Sequence, residues 1–294
     1  MNAFEAIQNI TFGTELEYTG ITREKAAKAI QQAIGGTINH AGGGYDAWTV
    51  TAPDGKVWKA ISDASIGYLG SEIVTPVLTY RDINNLQIVV RNLRKAGAKA
   101  TRATSQHVHI GVDSFSAEQI ANIVRIFYKQ EELILKAVGT WEHRLERYTQ
   151  RTEHSFIERL ETIKPKTRTD LNRAWFGRNI PNPSHYDSSR YHALNLNNVW
   201  RTGTVEFRCF NGTTHAGEVK ANIILCLAIA AKALKAKSAS SKNQRVYSDE
   251  SAKYDTRVFL LHLGLIGDEF KNTRDHLLKF LPGSSAWKNG RRIA

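Results

Sequence analysis

Apolar and polar residues change period several times along the chain, and each change marks an element. Between residues 10 and 18, β-branched and aromatic residues alternate so that Phe12, Thr14 and Leu16 fall on one side and Glu15 and Glu17 on the other, the signature of a strand. Thr22 caps a helix that stops at Gly35-Gly36. Residues 49–51 and 56–61 flank Pro53-Asp54-Gly55, a fixed proline and a permissive glycine suited to a hairpin turn. Residues 71–77 read as a further strand, and 80–96 as a helix with Leu86, Val89, Val90 and Leu93 on one face, closed by Gly97. The run 107–112 is a strand. Ser116 and Gln119 then form the capping box of a long helix that carries Ile120, Ile123, Val124 and Phe127 at helical spacing and ends near Gly139.

Residues 141–189 break the pattern. They are rich in Arg, Glu, His and Asn and contain Pro165, Pro181 and Pro183, which predicts a partly helical excursion with a mobile loop, placed to act as a lid. Its expected contacts with a ligand are Trp175, Arg178, His185 and Tyr186. Strand patterning returns at 191–196 and 203–210, helices follow at 218–235, 255–263 and 268–281, and no repeat is visible. The hairpin and the short connections favour an antiparallel or mixed sheet with helices on one side over a doubly wound parallel sheet. The expected class is α+β, with the 294 residues forming one domain.

Composition adds limits. Hydrophobic residues make up 41% and charged residues 23%, an ordinary globular balance, and no apolar run approaches the roughly 20 residues of a membrane span. The first residues lack the basic head and apolar stretch of a secretory signal, so the cytoplasm is the expected location. Cys209 and Cys226 are too few for a disulfide framework or a thiolate zinc cluster. The net charge of +12 could attract nucleic acid, nucleotide phosphates or an acidic protein. Its basic residues spread over 144–178, 232–245 and 288–292 with little aromatic interleaving, which favours a solvated surface over a nucleic-acid stripe. Ala41-Gly-Gly-Gly-Tyr45 lacks the lysine and hydroxyl of a phosphate loop and reads as a flexible turn.

Candidate chemistry lies in the strands. Glu15 and Glu17 project together, as do His107 and His109, with Val108 and Ile110 opposite, and Glu206 and Arg208, with Val205 and Phe207 opposite. Buried carboxylates at this spacing repel one another and need cations or hydrogen-bond donors. Magnesium fits that need, since it takes hard oxygen ligands that Glu15, Glu17, Glu72 and Glu206 supply. Taken singly, each pair also suits an exposed strand face or a satisfied core.

The ordered combination is more specific. Phe12-Gly-Thr-Glu-Leu-Glu17, Asp63-Ala-Ser-Ile-Gly67 with Gly70-Ser-Glu-Ile-Val-Thr-Pro76, His107-Val-His109, and Arg190-Tyr-His-Ala-Leu-Asn195 with Gly203-Thr-Val-Glu-Phe-Arg-Cys-Phe210 resemble the amidoligase family, relatives of glutamine synthetase and glutamate-cysteine ligase. The resemblance spans roughly residues 10 to 215. It implies a curved, mostly antiparallel sheet of the glutamine synthetase catalytic-domain type, with helices on the convex face and ATP and two or more magnesium ions, or manganese in their place, on the concave one. It further implies that Glu15, His107 and Glu206 hold the metal bridging the nucleotide phosphates, that Glu17 and Glu72 with Asp63 hold a second, and that His109 contacts ATP. Arg190 and Arg208 would grip phosphate oxygens, Glu17 would belong to the catalytic set, and the substrates would be a carboxylate and an amine, small molecules or peptides.

Two other classes stay open. A zinc hydrolase would use His107 and His109 with Asp113, and a basic nucleic-acid-binding module would keep the fold without the chemistry. A combined expectation is that the positive surface delivers the ligase to an acidic protein or a nucleic-acid-linked carboxylate.

Overall fold

The computed structural model describes residues 2–67, 70–242 and 244–288. Eight strands are present: β1 (Phe12–Tyr18), β2 (Thr37–Gly42), β3 (Ala47–Thr51), β4 (Val57–Ser62), β5 (Ser71–Val74), β6 (Ser105–Gly111), β7 (Leu194–Asn195) and β8 (Thr204–Asn211). They form one sheet in the order β2-β3-β4-β5-β1-β6-β8-β7, every neighbouring pair antiparallel. The helices are α1 (Ala3–Asn9), α2 (Arg23–Ile34), α3 (Ile83–Ala96), α4 (Ala117–Ala137), α5 (Glu142–Arg147), α6 (His154–Ile163), α7 (Arg168–Phe176), α8 (Ala216–Lys235), α9 (Ala252–His262) and α10 (Lys271–Leu278). The architecture is α+β, as the short connections predict.

Alternation along the strands decides which face is covered. Phe12, Leu16, Val108, Ile110, Val205 and Phe207 are buried toward the helices. There α2 lies against β2 to β4 and α8 against β6, while Phe127 of α4 meets Phe207 edge-on with ring centroids 5.8 Å apart. α8 is apolar nearly all round, and it is buried between α1, α3, α4 and α10, where a helix without a polar face is stable. Thr22 and Ser116 accept hydrogen bonds from the backbone of Lys25 and Gln119, the two caps that the sequence announces.

Two differences from the sequence pattern have physical causes. β2 was not expected, because Thr37-Ile-Asn-His-Ala-Gly42 has little apolar alternation; it is an exposed edge strand, and His40 stacks on Trp48 of β3. The strand expected at 191–196 shrinks to Leu194–Asn195 because residues 191–193 pair instead with Gln150, whose amide donates to Tyr191 O and whose carbonyl accepts from Ala193 N. Residues 141–189 hold α5, α6 and α7, in keeping with a partly helical excursion: α6 and α7 pack through Phe156, Ile157, Leu160, Leu171 and Trp175, all buried, which leaves 177–187 as the irregular stretch. The basic tail expected over 288–292 lies, beyond Lys288, outside the described residues.

Candidate active site

The four motifs occupy four adjacent strands, β5, β1, β6 and β8, in that spatial order. Directly paired residues in an antiparallel sheet share a face, and the register pairs Glu72 with Glu17, Glu15 with His107, and His109 with Glu206. A continuous ladder of carboxylates and imidazoles therefore crosses the middle of the sheet on the face opposite the helices.

A local irregularity keeps β8 in phase with that ladder. The register shifts between Gln106 and Val108, which pair with Phe210 and Phe207, so β8 carries one residue more than β6 over this stretch. Strict alternation from Glu206 would put Phe210 on the acidic face. The extra residue turns it to the side of Gln106, which accepts from Asn222 of α8, while Glu206 and Arg208 stay on the acidic side.

Two groups of potential ligands result, each with one donor atom per residue and all three atoms within 4.8 Å of one another: Glu15, His109 and Glu206, and Glu17, Asp63 and Glu72. The second offers oxygen only, the donor set that hard cations such as magnesium prefer, and the first mixes two carboxylates with one imidazole. Asp63 reaches its group because the turn after β4 is tight: it caps a short 3-10 turn through Ser65 N, and a Cβ on Gly70 would lie 2.7 Å from the Asp63 carbonyl.

The two histidines differ. His107 is engaged at both nitrogens: Nδ1 donates to Glu15 Oε2 at 3.0 Å, and Nε2 lies 2.9 Å from Ser105 Oγ. His109 Nε2 stands 3.3 Å from Glu15 Oε1 and 3.9 Å from Glu206 Oε1, is buried, and makes no hydrogen bond among the described residues. The expected set of Glu15, His107 and Glu206 is thus brought together, with His107 Nδ1 also 3.5 Å from Glu206 Oε1, and His109 joins the same two carboxylates from the next position on the strand.

Electrostatics across the ladder is uneven. Burial alone would raise the Glu206 carboxyl, but the charges of Arg208, His109 and His107 pull it down to about 2. Burial opposes ionisation of Glu15 too, and His109 and His107 hold it well below the usual carboxylate range. Glu72 goes the other way: burial first, then the neighbouring charges of Glu15, Asp63 and Glu17, push it up to about 9. Glu17 is also raised, mainly by burial, although Ser105 N donates to its Oε2 at 2.6 Å. The Glu17–Asp63–Glu72 group is thus short of positive charge, which a divalent cation would supply.

Several supporting residues had little signal in the sequence. Asn195 and Asn198 donate to Glu206 Oε2 at 2.7 and 2.9 Å, fixing the carboxylate that Arg208 holds from the other side. Their spacing, one on β7 and one in the turn after it, was the available hint. Arg144 of α5 is buried, donates to the Arg208 carbonyl at 3.0 Å, and feels Glu17 and Arg208. Nothing marked it within an arginine-rich segment.

Arg190 lies at the end of the irregular stretch. Its Nη1 donates to the His185 carbonyl at 3.1 Å, while Arg201 Nη1 donates to His185 Nδ1 at 2.7 Å. Burial, Arg190 and Arg201 hold His185 below its ordinary value, and it also senses Glu15 and Glu206. Next to it, Tyr186 is close enough to Tyr45 of the β2–β3 turn to raise the Tyr45 phenol, which also senses Glu72. His185 and Tyr186, at the end of the 177–187 stretch, therefore lie near the acidic ladder. Trp175 sits apart, in a wall with Phe156 and His192, and Arg178 lies in the cavity beside it.

Residues 8–230 match the family described as "Putative amidoligase enzyme". No curated protein matches the chain. Among solved structures, the chain is similar to one in the complex between Prokaryotic Ubiquitin-like Protein Pup and its ligase PafA, with 11% identity and a TM-score of 0.40 over 95% of this chain and 64% of that one. This chain thus spans less than two thirds of that neighbour's length. The family match includes every residue of the ladder, and the chain belongs to the amidoligase family.

Proposed function

We propose that the protein is an ATP- and magnesium-dependent carboxylate–amine ligase that works through an acyl phosphate. The observation that carries this reading is the ladder Glu72/Glu17, Glu15/His107, His109/Glu206, which gathers two ligand groups on one face of the sheet. The residues suit metal ions, because His109 Nε2 and Arg208 Nε are buried and make no hydrogen bond among the described residues, and Glu72 is starved of countercharge. Glu15, His109 and Glu206 would hold one ion, and Glu17, Asp63 and Glu72 the other. Magnesium bound there would polarise phosphoryl oxygens and offset the charge that develops during transfer.

The protein's own groups do the positioning. Arg208, fixed between Glu206 and the Glu17 side of the ladder, presents guanidinium donors to a phosphoryl oxygen, and Arg190 with Arg201 can grip the nucleotide from the loop side. The 177–187 stretch would close over the nucleotide and exclude water, consistent with its contacts through His185 and Tyr186. A substrate carboxylate then attacks the γ-phosphorus, ADP leaves, and an amine displaces phosphate to form the amide. Family membership favours this over a zinc hydrolase, and Asp113 joins neither histidine in a ligand group among the described residues. The intact acidic set also speaks against a binding module with no chemistry.

The test is magnesium-dependent phosphate release from ATP with pools of acids and amines, including amino acids, polyamines and short peptides. Release is expected to require both an acid and an amine, and to fall at least about a thousandfold in the Glu15→Gln, Glu206→Gln double variant. ATP that neither binds nor raises the melting temperature in the presence of magnesium would end this reading.

A further inference from the structure

On the other side of the sheet, a cavity of about 420 Å³ opens between α3, the start of α8 and the start of α10, a volume in the range of small-molecule sites. Three cations line it: Arg91 and Arg94 of α3 and Lys220 of α8. Arg91 and Arg94 make no side-chain hydrogen bond or ion pair among the described residues, and Lys220 has only Glu269, at 3.7 Å. Among the described residues, no carboxylate belongs to the lining.

Two helix N-termini converge on the same space. α8 contributes the first-turn residues Ala216 and Gly217, and α10 contributes Asn272 and Thr273. Among the described residues their amides make no hydrogen bond, and α10 has no side-chain cap. Unsatisfied amides and the positive ends of two helices favour an anion. Gly217 leaves the opening clear, since a Cβ there would stand 2.3 Å from His276 Nε2. An independent sign is Thr273: it lines the cavity, is 2% exposed, and its hydroxyl has no hydrogen-bond partner among the described residues. Buried hydroxyls in folded proteins nearly always have one.

We infer that this cavity is a second ligand site, taking a small molecule that carries a phosphate group, separate from the acidic ladder and on the opposite face of the sheet. Its oxyanion would meet the amides at the two helix starts and the guanidiniums of Arg91 and Arg94 as a fork, and the Thr273 hydroxyl, covered in this structure, would reach it after rotation about χ1. A metal ion is the competing occupant, because His215, Glu218 and His276 bring ligand atoms within 4.8 Å of one another. That group is poorly suited to a cation. Glu218 already receives Lys279 on one oxygen and the Thr213 hydroxyl on the other. His276 is held below its ordinary value by burial, then by His215 and Lys279, as expected in a positive environment.

The experiment is calorimetric titration of the full chain with pyrophosphate in EDTA, which removes divalent cations from the acidic ladder and leaves this site intact. Saturable binding is expected, unchanged in the Glu15→Gln, Glu206→Gln variant, so the result stands apart from the fate of the ligase reading. The exposed pair Arg91→Glu, Arg94→Glu is expected to weaken it at least about a hundredfold, and Thr273→Val about fivefold. An organic phosphomonoester that competes with pyrophosphate would support the site and point to a phosphorylated metabolite; failure to compete, with pyrophosphate still bound, would support a free inorganic ligand. Three results would overturn it: no saturable binding, equal binding by the charge-reversed variant, or EDTA-sensitive zinc uptake lost in His215→Ala with no anion bound. Preference for a nucleic-acid duplex with no pyrophosphate binding would also overturn it, in favour of a polyanion surface.

Discussion

The helix-covered and acidic faces of β5, β1, β6 and β8 alternate residue by residue along the same strands. On the helix side, Phe12, Leu16, Val108 and Phe207 are interchangeable in kind: each contributes apolar area and shape, and any one could be replaced by a residue of similar volume at modest cost. On the other side, Glu15, His107, His109 and Glu206 are each tied to a particular atom of a neighbour. One face is held by the sum of many weak contacts and the other by a few strong ones that oppose each other. Stability should therefore live on the first face and ligand affinity on the second.

Phe207→Ala is the strongest test of that division. It removes a ring that is 1% exposed and packed on Phe127, and should cost about 3–5 kcal/mol in denaturant unfolding, while the metal affinity of the molecules that remain folded stays unchanged. An affinity loss matching the stability loss would show that the faces are not separable. On the acidic side, His109→Ala should weaken magnesium or manganese binding at least about a hundredfold, and His107→Ala about tenfold, read by calorimetry. The reverse order would give the ligand role to His107.

The smallest expected effect is on stability against pH. Glu72 is raised from 4.5 to about 9, so between those values the folded protein keeps a proton that the unfolded chain has lost, and metal-free stability falls as pH rises through that window. Glu206, lowered to about 2, contributes stability that is present above 4.5 and lost as pH falls toward 2. In EDTA the melting temperature should drop by roughly a few degrees between about pH 5 and pH 9, and Glu72→Gln should flatten that slope. An unchanged slope in Glu72→Gln would mean that the strain among the carboxylates is relieved elsewhere.

Much of this was readable from sequence because period-two alternation is a local property. Glu15 and Glu17 opposite Leu16, and His107 and His109 opposite Val108, need only the strand assignment. Strand order is a non-local matter, and neither the residues nor the family resemblance carried it, the resemblance implying only a curved, mostly antiparallel sheet. How His107 and His109 divide their nitrogens between the carboxylates and neighbours such as Ser105 is set by side-chain geometry, and no spacing rule carries that. Asn198 and Arg144 reach the site from a turn and from a helix in the irregular segment, where sequence distance does not report spatial distance. β2 escaped because an exposed edge strand has no buried face to impose a pattern.

The extra residue in β8 makes length the fragile property of that strand. Substitutions between Phe207 and Phe210 that keep the count leave both rings on the helix side and Glu206 with Arg208 on the other. Losing one residue there would reverse the facing of the rest of the strand while barely changing the composition, so among relatives of this chain the spacing from Glu206 to Phe210 should vary less than the residues that fill it.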